Sequence, residues 1–443
     1  MRVGAGLDSR FMNAPETEPA IASARRTEIE GQIARLVGEY FDLEPPPPGD
    51  ECPLSVPLYG AEEVTGAIDA LLSQHVTMGA RVAEFESAFA REMGSKHAIM
   101  VNSGSSANLL AVSVLAQAAL DGHLKPGDEV IVPAVTWSTT IAPILQLGCV
   151  PVLVDVDEDT LNMRPESIGE AASERTRAVM PVHLLGNPVD MQPLMERARE
   201  RNLWVIEDTC ESLGTEIAGQ NVGSFGDFGT FSFYFSHHIT TIEGGMVITD
   251  SDELNDLARS LRAHGWSRDM STRAQLEAEN PAVDPRFLFV NVGYNLRPME
   301  VQAAFGLVQL RRLGEFNRRR RENAIHLAQA LRPYGDRIRL VNEQEGGRST
   351  WFGFSVIAES AEQRVALRDH LEARNIATRP IVAGNLALQP AFKDSPHRTV
   401  GDLETATRIG ERGLFIGNHP SLTDAQLEHI VGAFRSFFGD SAG

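Results

Sequence analysis

Lysine is nearly missing from this chain. Of its 40 basic residues only three are lysines, Lys96, Lys125 and Lys393, so no side-chain amine occurs between residues 126 and 392. Chemistry that needs a lysine in the middle of the sequence is excluded. Cysteine is equally scarce: Cys52, Cys149 and Cys210 lack the paired spacing of a disulfide framework or a zinc knuckle, which fits a reducing compartment. There is no apolar run of about eighteen residues, and the N-terminus lacks the basic-then-apolar build of a secretory signal. The expectation is a cytoplasmic protein with no membrane partner. Positive charge is short too. A formal net charge of -20 repels a phosphate backbone, so nucleic acid is not an expected partner. The one basic cluster, Arg318 to Arg321, falls in a helical stretch and reads as a solvated helix face.

What is present is an ordinary globular composition, 42% hydrophobic over 443 residues, enough for one large domain and a smaller companion. Residues 1–25 are small and polar and are expected to be disordered. Helical spacing over 27–41, ended by four prolines at 45–48, predicts an N-terminal helix and a proline-rich linker within 26–50. Seven apolar, β-rich runs follow: HAIMVNS, EVIVPAV, VPVLVDV, AVMPVHLL, LWVIED, GTFSFYF and GGMVITD, most of them separated by helix-like segments. This alternation predicts an α/β fold with a mostly parallel sheet between helices, over residues 51–310. A long helix then leads into a small C-terminal α+β domain, 311–443. Such sheets bind ligands at the carboxyl ends of their strands.

Three of those ends bear polar chemistry. VNSGSSANLL runs from strand through Gly104, Ser105 and Ser106 into a helix, which makes either a phosphate site of free amides or a capped helix start. PAVTW ends on Trp137, a stacking surface or a core residue. VIEDTCE brings Glu207, Asp208 and Glu211 to a strand end, where a carboxylate can pair with a cationic ring nitrogen or cap a helix. The run FYFSHHITTIEGG reads as a strand entering a glycine turn that presents His237 and His238. Neighbouring histidines on a strand cannot share an ion and no third ligand stands out, so no metal is expected.

In this order (phosphate turn, aromatic, acid, then SFYxxHHxTTxEGG) the chain from about residue 55 to 435 resembles the DegT/DnrJ/EryC/StrS-type sugar aminotransferases. That resemblance implies fold type I, pyridoxal 5'-phosphate as cofactor, and nucleotide-linked keto sugars as substrates. It also implies that Gly104, Ser105, Ser106 and Ser232 hold the phosphate, Trp137 lies against the ring, Asp208 pairs with the ring nitrogen and Glu211 sits nearby. Asn295 would reach the phosphate of a neighbouring subunit, hence a homodimer with shared active sites.

The departure from the family pattern is His237, which stands where the aminotransferases have the lysine that tethers the cofactor. Two branches with histidine there resemble this chain: 3-dehydratases of GDP-linked sugars in colitose synthesis and 3-dehydrases of CDP-linked sugars in ascarylose synthesis. The runs RAHGW, GYNLRP, WFGF, RPIVAGN and GNH look closest to the first. The helix and prolines before residue 50 look more like the second, which leaves the nucleotide open. Imidazole is a competent base near neutrality and cannot form the tether, so the resemblance implies loss of the C3 hydroxyl from a 4-keto-6-deoxyhexose. Pyridoxamine phosphate would act as an untethered amine carrier, and L-glutamate would regenerate it. The second branch works through an iron-sulfur cluster, which ordinarily takes four thiolates; three scattered cysteines do not supply them. A member of the family that only binds a sugar nucleotide is the reading from outside enzymology. If the segment is extended, His238 points away from His237, into packing or toward substrate. Arg268, Arg297 and Arg379 are substrate candidates on charge alone.

Overall fold

The structure is a computed structural model that describes residues 18–43 and 50–439. The proline-rich linker and the first seventeen residues of the expected disordered segment lie outside the described residues. From Glu18 the chain is helical: α1 spans Glu18–Asp42, so the helix begins well ahead of residue 27. A composition of alanine, glutamate and arginine is small and polar, but it is also among the strongest for helix, which is why polarity misplaced this boundary. The next helices are α2, Ala61–Leu72, α3, Ala80–Met93, α4, Gly104–Leu115, and α5, Ser138–Gln146. No described helix is long and apolar enough to cross a membrane.

Each of the seven β-rich runs forms a strand. In chain order these are β1 His97–Val101, β2 Glu129–Pro133, β3 Val150–Val154, β4 Thr176–Val179 and β5 Trp204–Asp208. Two short strands follow, β6 Glu216–Ile217 and β7 Gln220–Asn221, then β8 Phe228–Ser232 and β9 Gly245–Thr249. The remainder are β10 Ile338–Leu340, β11 Gly347–Arg348, β12 Gly353–Ala358, β13 Thr378–Arg379, β14 Arg398–Thr399 and β15 Gly413–Gly417. The main sheet has the order β1-β9-β8-β5-β4-β2-β3-β14 and is parallel except at β9, which is antiparallel to β1 and β8. Every residue of β2, β8 and β9 is buried, as a sheet covered on both faces requires.

Alternation along β8 sets the site. Phe231 and Phe233 turn to one side and stack edge-on with Phe85 and Phe89 of α3, ring centres 5.1 to 5.5 Å apart. Thr230 and Ser232 therefore face the other side. Behind this cluster lies a buried ion triad: Glu86 on α3 accepts from Arg262 at 2.5 Å and Arg259 at 3.0 Å, and Arg262 also donates to the Met100 carbonyl on β1. Desolvation alone would raise the Glu86 pKa, but the two guanidinium groups and the Met100 amide outweigh it and hold the carboxyl below its ordinary value.

The boundary drawn at 310 falls inside one continuous helix, Glu300–Leu331. Its first turns pack on α2 and α3, and its last pack on the closing helix, Asp424–Phe438. A second core (Leu327, Leu331, Val356, Ile416, Phe434) fills the space between this helix and the antiparallel sheet β10-β12-β15-β13. The arginine run on the helix is not a solvated face. Arg318 pairs with Glu322, Arg319 with Asp424 and Arg321 with Glu343, while Arg320 is buried. Four consecutive residues cover about 300° of a helix, so one of them must point inward.

Glu86→Gln leaves Arg262 buried without its counter-charge and is expected to cost about 3–5 kcal/mol in urea unfolding. Because the folded-state pKa is depressed, the triad's contribution is fully present above about pH 4.3 and fades as pH falls toward the lower folded value. The stability gap between wild type and variant should close in that acid window and nowhere above it.

Candidate functional site

The strand ends of the main sheet open into a cavity of about 590 Å³, roofed by residues 379–382 and Phe415 of the small half. Gly104, Ser105, Trp137, Asp208, Glu211, Ser232, His237 and Arg379 all line it. They arrive there from five separate segments of chain.

At the end of β1, Ser103 caps α4 by accepting from the Ser106 amide at 3.1 Å. That capping is what Ser106 does; it does not line the cavity. The Gly104 and Ser105 amides are left facing the opening at the helix start, with the Ser105 hydroxyl tied to Thr139 at 2.8 Å. Gly104 is required by crowding, since a Cβ there would stand 2.5 Å from the Ser232 Cβ and 3.1 Å from the Cys210 sulfur. The glycine pair that ends the HHITTIEGG run has the same origin. A Cβ on Gly245 would meet the Ser103 carbonyl at 2.4 Å, and one on Gly244 would meet the Thr241 hydroxyl at 2.1 Å.

Asp208 closes β5 with its carboxylate buried and held by neutral donors. Oδ2 accepts from Asn108 at 2.9 Å and Thr140 at 2.8 Å; Oδ1 accepts from the Cys210 amide at 3.2 Å. Thr230 donates to Asn108 at 2.6 Å, which fixes the amide with its NH₂ toward Asp208. Among the described residues no cation pairs with this carboxylate. The adjacent Glu207 points into the sheet, where His183 and the amides of Gly223, Phe225 and Gly226 surround it. Trp137 stands at the first turn of α5, 59% exposed, with its face free for a planar group.

Glu211 is half-buried beside them and lines the cavity. Burial first, and then the charge of Asp208, push its carboxyl up to about 7 against the bond it accepts from the Leu185 amide at 2.9 Å. Leu185 has φ 50° and Trp351 has φ 46°, and the two segments clasp each other through Phe352 N to Leu185 O and Thr350 N to Gly186 O. Two left-handed, non-glycine residues cost about 1–3 kcal/mol each, so this clamp is over-determined by its packing.

The strand ends at Ser232, and His237 and His238 sit in a turn, not on an extended segment; the His237 amide bonds back to the Tyr234 carbonyl at 2.9 Å. Period-two alternation therefore does not apply. His237 borders the cavity, its ring on the edge of Phe352 at 5.2 Å. Burial, and next the nearby Arg320 guanidinium, press its pKa down to about 3, so the imidazole is neutral. His238 turns inward, 2% exposed, and does not line the cavity.

Arg379 is the one guanidinium in a wall that also holds Asp208, Glu211 and Glu243. The other two arginine candidates lie elsewhere. Arg268 is stacked over Trp266 at 4.4 Å, and Arg297 donates to Asn295 at 2.9 Å, both outside the cavity. Asn295 itself is exposed. Sequence reading overlooked Asn108, Thr140 and Phe352. The first could have been suspected from its place one helical turn after the Gly104 start, but Thr140 and Phe352 give no local signal. Of the cysteines only Cys210 reaches the cavity, with its thiol pushed well up by burial and by Asp208; Cys52 and Cys149 lie in different cores.

The profile of the DegT/DnrJ/EryC1/StrS aminotransferase family matches residues 57–435. The chain is 38% identical over 431 residues to the lipopolysaccharide biosynthesis protein RfbH of Salmonella typhimurium, covering 93% of this chain and 98% of that protein. It is 38% identical over 391 residues to the GDP-4-keto-6-deoxy-D-mannose 3-dehydratase of Yersinia pseudotuberculosis, covering 86% of this chain and 98% of that one. A crystal structure of GDP-4-keto-6-deoxymannose-3-dehydratase with a trapped PLP-glutamate geminal diamine superposes with a TM-score of 0.81 at 35% identity, covering 86% of this chain and 100% of that one.

Glu211→Gln keeps an acceptor for the Leu185 amide and removes a carboxyl that binds its proton more tightly when folded. A raised folded-state pKa means stability is lost as pH rises through about 7. The variant is expected to melt several degrees above wild type at pH 8 and level with it near pH 4, as read by thermal unfolding.

Proposed function

The chain belongs to the DegT/DnrJ/EryC1/StrS aminotransferase family, and we propose that within it the protein is a dehydratase, removing the C3 hydroxyl of a nucleotide-linked 4-keto-6-deoxyhexose in deoxysugar biosynthesis. The observation that carries the reading is His237, a neutral base at the edge of a cavity whose wall contains no amine. GDP is the nucleotide favoured by the relatives' names.

The residues present fit pyridoxal and pyridoxamine phosphate on their own chemistry. Free amides at the start of α4 and the Ser232 hydroxyl, in a cradle that a single Cβ on Gly104 would fill, suit a phosphate ester. A buried carboxylate ringed only by neutral donors suits a protonated ring nitrogen, whose charge would compensate it. When bound, the pyridoxamine form supplies an amine for the sugar's C4 ketone and a conjugated ring that takes up the electron pair left by the departing proton and releases it as the C3 hydroxyl leaves.

The chain's own groups do the remaining work. Asp208, fixed by Asn108 and Thr140, holds a proton at the ring nitrogen. Trp137 covers one face and the Leu185–Phe352 clamp excludes water from the side of Glu211. His237 takes the proton from the carbon that bears the amine and, as a histidine, forms no tether. Arg379 offers a guanidinium to the anionic groups of the sugar nucleotide or of L-glutamate, the amino donor. Asn295, exposed, and Arg297, half-buried and linked to it outside the cavity, are offered to the site of a second copy in a homodimer.

Protein loaded with pyridoxal phosphate and given L-glutamate should convert to the pyridoxamine form with one equivalent of 2-oxoglutarate, and then release ammonia and a 4-keto-3,6-dideoxy sugar from GDP-4-keto-6-deoxymannose. No spectral conversion, or conversion without sugar turnover on any nucleotide, would overturn the reading. His237→Lys should bind cofactor but lose dehydration by at least about a hundredfold. Full activity in that variant would take His237 out of the mechanism.

A further inference from the structure

Behind His237 seven side-chain polar atoms are sealed without a well-aligned hydrogen-bond partner: Nδ1 of His237, both ring nitrogens of His238, Nε of Arg320, Oδ1 of Asn323 and Asn418, and Nε2 of His419; the backbones of Thr350 and Pro53 come nearest to His238 and His419. His238, Arg320, Asn323, Asn418 and His419 are each 3% exposed or less. They form one group. Arg320 donates to the carbonyls of Phe352 at 3.2 Å and Asn418 at 2.6 Å, Asn418 donates back to Arg320 and Trp351, and Asn323 donates to the His419 carbonyl at 3.1 Å. The rings of His237 and His238 lie 5.2 and 5.9 Å from that of Phe352. The WFGF and GNH runs thus meet the second histidine here, and the reaction outlined above uses neither His238 nor the GNH run.

Buried polar groups are almost always partnered, because each orphan costs about 1–3 kcal/mol. What could partner these is limited by their position. They are closed off within a single chain, so cofactor, substrate and a second copy cannot reach them. A small enclosed species remains. An inorganic anion would satisfy the Arg320 and histidine donors but not the two asparagine carbonyls; water donates and accepts, and satisfies both kinds. The group also has an outlet. Nδ1 of His419 lies 2.8 Å from the hydroxyl of Ser421, which is exposed to solvent.

We propose that ordered waters partner these atoms and form a proton relay from His237 Nδ1, past His238 and His419, to Ser421 and bulk solvent. The cavity-side nitrogen of His237 takes a proton from the reacting carbon while Nδ1 gives one to the first water, so the ring ends neutral in its other tautomer and one proton leaves at the far end. The return transfer restores the starting tautomer. Arg320 supports this arrangement, since a guanidinium beside the ring disfavours a lasting imidazolium. The relay rests on the dehydratase reading; the waters do not.

A crystal structure of the cofactor-loaded protein near 1.5 Å should show waters within hydrogen-bonding distance of His237 Nδ1, Arg320 Nε and His419 Nε2. A dry site, or a bromide peak there after halide soaking, overturns the proposal. In mixtures of H₂O and D₂O the wild-type kcat for dehydration should give a curved, multi-proton inventory. His419→Leu should give a straight one, with kcat down about tenfold, KM unchanged and the cofactor spectrum intact. His238→Gln, which keeps a polar side chain in the same space, should show the same change if His419→Leu does not fold. A straight wild-type inventory, or curvature that survives in the folded variant, overturns the relay, whereas wild type with no turnover at all would count against the dehydratase reading instead.

Discussion

A carboxylate sealed at the end of β5 with only neutral donors around it is the constraint from which the site follows. The Asp208 carboxylate accepts from Asn108, Thr140 and the Cys210 amide, each of which supplies a dipole but no countercharge. Holding those donors in place takes most of the neighbouring architecture: Thr230 orients Asn108 from β8, α4 brings Asn108, and α5 brings Thr140. A site with a lysine or arginine already on Asp208 would be more stable by itself and useless for a cationic ring. The anion is left to be completed by what binds.

The loops around Asp208 store strain where they are most constrained. Leu185 and Trp351 hold left-handed conformations only because Gly186, whose Cβ would strike the Trp351 amide at 2.4 Å, lets the two segments clasp. That clasp delivers the Leu185 amide to Glu211 and sets Phe352 against both histidines. A single steric solution therefore positions the raised carboxyl on one wall and the neutral imidazole on the other.

Most of the sheet was legible in the sequence because burial on both faces forces uninterrupted β-rich runs, and the ligand-facing ends of β1, β2 and β5 showed as abrupt changes to Gly, Ser, Trp or Asp. The Gly104 turn was readable for a physical reason, since only glycine leaves room beside Ser232. What stayed hidden depends on contacts between segments far apart. Thr140 is one threonine among several until Asp208 arrives beside it, and Arg320 is one of four arginines until the helix is rotated into place. His238 does turn away from the cavity that His237 borders, but not by strand alternation; the chain leaves the sheet at Ser232 and turns.

On the proposed reading, with His237 where the family's tethering lysine would stand, the work of retention falls on non-covalent contacts. A covalent link holds a cofactor whatever the fit of its phosphate site; without one, on the same reading, occupancy would depend on the amides at Gly104 and Ser105, the Ser232 hydroxyl, the face of Trp137 and the Asp208 carboxylate acting together. The close packing at Gly104, with Ser232 and Cys210 both within reach of a missing methyl, is then more than crowding. It is a rigid seat, and rigidity lowers the ordering entropy that a mobile phosphate site would lose on every cycle. The same substitution removes the amine that would compete for the keto sugar, so the base can be neutral, unattached and pressed against an apolar ring.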